Sequence, residues 1–154
     1  MISNPPSPEC VEQTIDCFWE TFPPTWSTIR GHIREIVTEY FDISVEQFHI
    51  LRHIRKGYTT ISELAAAKHI SRPAVSQAVN ALVAKNLVTR QHGVKDRRSV
   101  SLELTQEGSD LLNFVFQKNR EWMVEILSTL NDGDLDAMRS SLELIKRIFD
   151  QPEA

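Results

Sequence analysis

The 154-residue sequence predicts a mainly α chain, α+β only where one short hairpin interrupts the helices, and three observations predict it. Apolar residues recur at helical spacing over most of the length, as in Ile29, Ile33, Ile36, Val37 and Tyr40. Helix starts are marked by hydroxyl residues with an acid or amide three positions on, Ser44 with Gln47 and Thr60 with Glu63. Strand-like sequence occurs in one place, from Leu87 to Leu104, on either side of a basic, glycine-containing tip. Together these describe a three-helix core closed by a β-hairpin and flanked by helices at both ends.

Residues 1–7 are expected to be a disordered tip. Ser7-Pro8-Glu9 is a cap-proline-acid helix start, and the helix that follows holds Cys10, Ile15, Cys17, Phe18 and Trp19. Pro23-Pro24 is expected to interrupt it, with Thr25 capping a continuation through Trp26, Ile33 and Phe41. Gly31 inside that stripe costs about 1 kcal/mol relative to Ala and reads as a site of close helix packing. The helix opened by Ser44 carries Val45, Phe48, Leu51 and Ile54, stops at Gly57, and backs the next two. Thr60 starts a short helix with Ile61, Leu64 and Ala65 on one side. Ile70 lies in the turn, Ser71 caps the following helix, and Pro73 falls in its first turn, where a missing N–H costs nothing. Asn86 ends that helix at a left-handed position. Leu87–Arg90 and Ser99–Leu104 are the two strands, His92–Arg98 the tip.

Thr105 caps a long helix through Leu111, Leu112, Val115, Trp122, Ile126 and Leu130, about 25 residues or nearly 40 Å. Asn131-Asp132-Gly133-Asp134 breaks it before a last helix with Leu135, Met138, Leu142, Ile145 and Phe149. Such an amphipathic helix cannot bury its stripe within one chain, which implies a partner, most simply a second copy. Residues 8–42 and 105–150 are therefore read as dimerisation helices around a domain spanning 44–104.

Charge is segregated. Arg52 to Arg98 holds ten Lys or Arg against two Asp or Glu, +8, while the remainder holds seven against nineteen, −12. A basic middle between acidic ends is the footprint of a local phosphate-binding surface. The start of the chain lacks an export signal and no apolar run approaches 18 residues, so a cytoplasmic protein without membrane contact is expected. Cys10 and Cys17 are seven apart on one helix, about 10 Å against a disulfide Cα limit near 7 Å, too far to bridge. There is no glycine-rich phosphate loop, no nucleophile with its base and no paired carboxylates, so neither an enzyme nor a cofactor is expected. His49 and His53 have metal-ligand spacing but no third ligand nearby in sequence, and no metal site is expected.

The helix after Ser71 shows what the basic region reads. Val75, Val79, Leu82 and Val83 share one side; Pro73, Ser76, Gln77 and Asn80 share the other, with Arg72 on the shoulder. An ordinary surface helix carries Glu and Lys on its wet face, yet no acidic residue occurs from Arg72 to Lys95. A small, uncharged face of groups that donate and accept hydrogen bonds suits a helix pushed into a DNA major groove. The basic tip suits a wing on the backbone or in a minor groove. The segment from Thr60 to Arg98 is thus expected to form a winged helix-turn-helix for double-stranded DNA. Its candidate contacts are Ser71, Arg72, Pro73, Ser76, Gln77 and Asn80 on the helix, with Lys95, Asp96, Arg97 and Arg98 on the wing.

The same residues resemble the MarR family of transcriptional regulators: Ser71 to Gln77, the wing signature Asp96-Arg97-Arg98, and Leu104-Thr105 followed by Glu107-Gly108. The resemblance is strongest over 60–108; Asn86 departs from it, standing where the family more often has Gly, as does the Pro23-Pro24 pair. It implies a homodimeric repressor on a pseudo-palindromic operator, released by a small aromatic effector. By its spacing to Leu104-Thr105, Arg98 matches the family's minor-groove arginine. The resemblance also implies an effector cleft between the dimer arms and the DNA-reading core. Trp19, Phe22, Trp26, Tyr40 and Phe48 are its candidate lining, against the plainer reading of core packing. Cys17 lies where peroxide-sensing members keep a reactive thiol; the plainer reading is a buried structural cysteine. Rival readings are a thiol- or metal-responsive regulator of the same fold, a winged helix used for protein contacts, and an enzyme or metal-storage protein.

Overall fold

The computed structural model describes residues 5–92 and 100–150. Six helices and one hairpin follow in order: α1 (Pro8–Phe41), α2 (Val45–Arg55), α3 (Ile61–Lys68), α4 (Arg72–Ala84), β1 (Val88–His92), β2 (Val100–Leu104), α5 (Gln106–Leu127) and α6 (Asp132–Phe149). The mainly helical fold with a two-stranded antiparallel wing is the one the sequence predicts. Two compact units divide the chain after Val115.

In the first unit, local chemistry starts each helix. Ser44 accepts from the Gln47 amide at 3.1 Å while the Gln47 side chain accepts from the Ser44 amide at 2.8 Å. Thr60 and Glu63 make the same reciprocal pair, and Glu63 Oε2 also takes the Thr59 amide. Ser7 and Ser71 cap α1 and α4, each followed by proline in the first turn. Burial follows the apolar stripes: Ile33, Ile36 and Val37 of α1 meet Phe48, Leu51, Leu64, Val75, Val79 and Leu82 in one core. Ile50 of α2 is fully buried although it lies off the predicted stripe, because α2 is packed on more than one side.

Three expectations need correction. Pro23 and Pro24 lie inside α1 without ending it. Each removes one amide donor, from the carbonyls of Trp19 and Glu20, but both residues are exposed, so water can take the place of the lost bonds. Thr25 is accordingly no cap; its hydroxyl donates back to the Thr21 carbonyl at 2.7 Å. Gly31 is no close-packing site within the chain, since a Cβ there would meet nothing within 4 Å. Gly31→Ala should therefore raise stability by about 1 kcal/mol in thermal or urea unfolding, from helix propensity alone. A loss of stability instead would mean that another chain approaches that spot. The first strand is also shifted from its predicted bounds: His92 belongs to β1 and not to the tip, and Leu87 precedes β1, while Ser99 lies outside the described residues.

In the second unit the far part of α5 leads to α6, which Asn131 caps by accepting the Asp134 amide at 3.0 Å. The predicted break thus spans Ser128–Asn131, and Asp132-Gly133-Asp134 already lies in the first turn of α6. No residue of α6 is buried, and Leu142, Ile148 and Phe149 are more than half exposed. Among the described residues no helix is long and apolar enough to cross a membrane.

Candidate nucleic-acid interface

The helix-turn-helix is built from α3, a three-residue turn and α4. His69 takes a left-handed φ of 53°, which lets the Ile70 amide reach back to the Ala65 carbonyl at 3.2 Å and aims the chain at Ser71. α4 then buries Val75, Val79 and Leu82, with Val83 partly covered, and turns Arg72, Pro73, Gln77 and Asn80 outward. Ser76 is half-buried at the edge of that face. Ser71 is exposed, its Oγ accepting from the Ala74 amide at 3.4 Å. With no acidic residue in its first turn, the N-terminal end of α4 keeps a positive dipole that favours phosphate.

At the other end of α4, Asn86 adopts φ 56° and the Leu87 amide donates to the Leu82 carbonyl at 2.9 Å. The chain is thereby turned directly into β1. β1 and β2 pair antiparallel from Val88↔Leu104 to His92↔Val100. The Leu102 amide donates to the Thr59 carbonyl at 2.7 Å, so the loop before α3 is stitched to the hairpin as well. Thr105 and Gly108 close the base: Thr105 donates from its hydroxyl to the Asn86 carbonyl at 2.7 Å and from its amide to the Leu87 carbonyl at 3.2 Å. Its Oγ1 also accepts the Gly108 amide at 3.0 Å. The wing candidates Lys95, Asp96, Arg97 and Arg98 lie outside the described residues.

Arg90 was not among the candidates read from sequence. Its Nη2 lies 2.6 Å from Asn80 Oδ1, on the outward face of α4. Strand alternation was the available signal, since Arg90 shares a face with Val88, which packs against α4. Lys85 was likewise missed as a link: its Nζ lies 2.9 Å from Asp42, at the end of α1, and holds that carboxylate below its usual range.

The proposed effector residues are not brought together within the chain. Phe48 is 1% exposed in the core, whereas Trp19 is 65% exposed far along α1. On one helix, Trp19 and Tyr40 are separated by about 30 Å. Phe18 stacks on Phe22 at 5.2 Å, and Tyr40 packs against Phe114 at 5.0 Å. Cys17 is exposed in the chain rather than buried, its Sγ 4.0 Å from Thr21 Oγ1, so the structural reading of this residue is corrected.

The His49 carbonyl accepts from His53 at 2.7 Å, which places the proton on His53 Nδ1 and removes that nitrogen as a metal ligand. No group of three His, Cys, Asp or Glu suited to a metal occurs among the described residues. Burial pushes the His49 imidazole down to about 4, with Lys68, Arg52 and Arg30 adding repulsion and Glu46 opposing them. Because the unfolded chain takes up this proton near 6.5 and the folded chain near 4, the contribution is intact above 6.5. It is lost as pH falls towards 4. Urea unfolding at pH 7 and 5 should show a smaller acid loss for His49→Gln than for the parent; equal losses would contradict this.

Comparison with known proteins agrees with this geometry. A family model described as the MarR family matches residues 41–99. The transcriptional repressor MdtR of Bacillus subtilis is 31% identical over 94 residues, 60% of this chain and 61% of its own. A MarR family protein from Bacillus stearothermophilus superposes with a TM-score of 0.79 at 20% identity, covering 91% of this chain and 98% of that one. A mutant of MepR from S. aureus, bound to an oligodeoxyribonucleotide, superposes with a TM-score of 0.67 at 21% identity, covering 86% and 98%. The capped helix pair, the hairpin sewn to its base and these likenesses lead to one conclusion: residues 41–99 match the MarR family, and the chain has the winged helix-turn-helix fold of that family's solved structures.

Proposed function

We propose that the protein is a homodimeric repressor that binds a pseudo-palindromic operator and is released by a small aromatic effector. The observation that carries the reading is the outward face of α4, exposed at Arg72, Gln77 and Asn80 and free of acid. Each copy inserts this helix into a major groove, with the wing arginines Arg97 and Arg98 supplying affinity alongside. The name of MdtR supports repression, and the oligodeoxyribonucleotide on MepR supports DNA as the partner. Exposed apolar side chains at Val11, Ile15, Trp19, Phe22 and Trp26 of α1, and along α6, support dimerisation through the terminal helices. An effector acts by preferring a dimer with the wrong spacing between its α4 helices. Trp19, Phe22 and Trp26 are its contacts on α1, and they meet a pocket wall only in the dimer.

Gln77 tests the reading most simply. Its amide can pair bidentately with adenine N6 and N7, a contact worth about 1–3 kcal/mol of discrimination. Gln77→Ala should flatten preference at one base pair per half-site in a binding-site selection, with an unchanged unfolding midpoint. If every position keeps its preference, Gln77 does not read a base.

A further inference from the structure

We propose that Arg90 is a specificity-determining residue, which acts by fixing the orientation of Asn80 so that the pair reads guanine and not adenine. The inference rests on α4 being the base-reading helix. Asn80 is exposed on the outward face of α4, and Arg90 reaches it from β1, its Nη2 2.6 Å from Asn80 Oδ1. Two residues from different elements, ten apart in sequence, therefore present one hydrogen-bonding surface.

The chemistry of the two groups sets their orientation. A guanidinium has only donors, and the amide nitrogen of Asn has only donors. Of the two amide orientations, the one with Nδ2 against Arg90 opposes donor to donor and is excluded. Asn80 thus turns its oxygen to Arg90 and its NH2 group away. A free Asn reads adenine by accepting from N6 and donating to N7. Here the oxygen is committed to a cation at charge-assisted distance. A second donor at that oxygen would have to approach alongside the guanidinium, against its charge. What Asn80 then offers a base is its NH2 group, a donor only. Its complement in the major groove is an edge of acceptors, and guanine O6 and N7 form one.

Binding-site selection from a random duplex pool tests this, using the full-length protein, Arg90→Met, Arg90→Lys, Asn80→Ala and the Arg90→Met/Asn80→Ala double variant. The parent should prefer guanine over adenine by about tenfold at one position per half-site. Arg90→Met should lose that preference or shift it to adenine, with other positions unchanged. Arg90→Lys, which keeps a donor-only cation, should retain guanine. Asn80→Ala and the double variant should match each other at that position, because Arg90 acts through Asn80. Uniform weakening by Arg90→Met with a salt slope lower by about one unit would make Arg90 a phosphate contact and overturn the proposal. So would an unchanged selection profile. Failure of the parent to select any sequence would overturn the DNA-reading role itself and this inference with it.

Discussion

Gly108→Ala is expected to destabilise the protein by about 2 kcal/mol or more, lowering its unfolding midpoint by about 5–10 °C, and to weaken DNA binding with it. A Cβ on Gly108 would collide with the backbone oxygen of Leu87 and stand 3.1 Å from its carbonyl carbon. Neither atom is the end of a flexible side chain. The Leu87 carbonyl is held by the Thr105 amide, and the adjacent Asn86 carbonyl by the Thr105 hydroxyl. Relief therefore requires moving the first turn of α5 away from the joint between α4 and β1, at the expense of those bonds. Because β1 begins at Val88, the wing shifts relative to α4. Calorimetry checks the first effect and an operator titration the second. A variant as stable as the parent would show that this joint is soft. The contrast with Gly31→Ala, expected to stabilise, separates a glycine required by close backbone approach from one that is merely tolerated.

Removal of residues 131–154 is expected to abolish the proposed homodimer. α6 buries none of its own residues, yet it carries Leu142, Leu144, Ile148 and Phe149 along an amphipathic length. A chain that leaves such a face to water gains little from ordering the helix, so the face requires a partner. In the proposed dimer α6 supplies part of the apolar seam, and the truncated chain lacks it. The truncated chain should aggregate or sediment as a monomer with operator affinity reduced at least a hundredfold, since two half-sites can no longer be held at fixed separation. A soluble truncated monomer that binds the full operator as tightly as the parent would remove the terminal helices from the mechanism.

How much of this was legible in the sequence depended on how local the physics was. The reciprocal caps at Ser44–Gln47 and Thr60–Glu63 need only four residues, and both form as read. The inward side of α4 follows from period alone, and Val75, Val79 and Leu82 are buried accordingly. Asn86 was readable as a left-handed terminator. Asp42 and His69 do the same work at φ 50° and 53°, but neither residue type marks that conformation strongly enough to be foreseen. The proline pair misled because a helix is usually broken by it; an exposed helix can lose two amide donors to water and continue. Arg90 beside Asn80 was out of reach for a different reason, since it depends on how a strand packs on a helix. The aromatic residues Trp19 and Phe48 were grouped by type, whereas the fold separates them into an exposed helix face and the core.

Dimethyl sulfate and hydroxyl-radical footprinting on a selected operator tests the central claim most directly, because it reports which groove is occupied and with what symmetry. The account predicts two blocks of protected guanine N7 atoms, symmetric about a centre, with α4 helices in major grooves about 34 Å apart or a multiple of it. Backbone protection should extend to the flanking minor grooves, where the proposed wing contacts would fall. Backbone protection without any N7 protection, or a single unpaired block, would contradict a twofold regulator that reads DNA through α4.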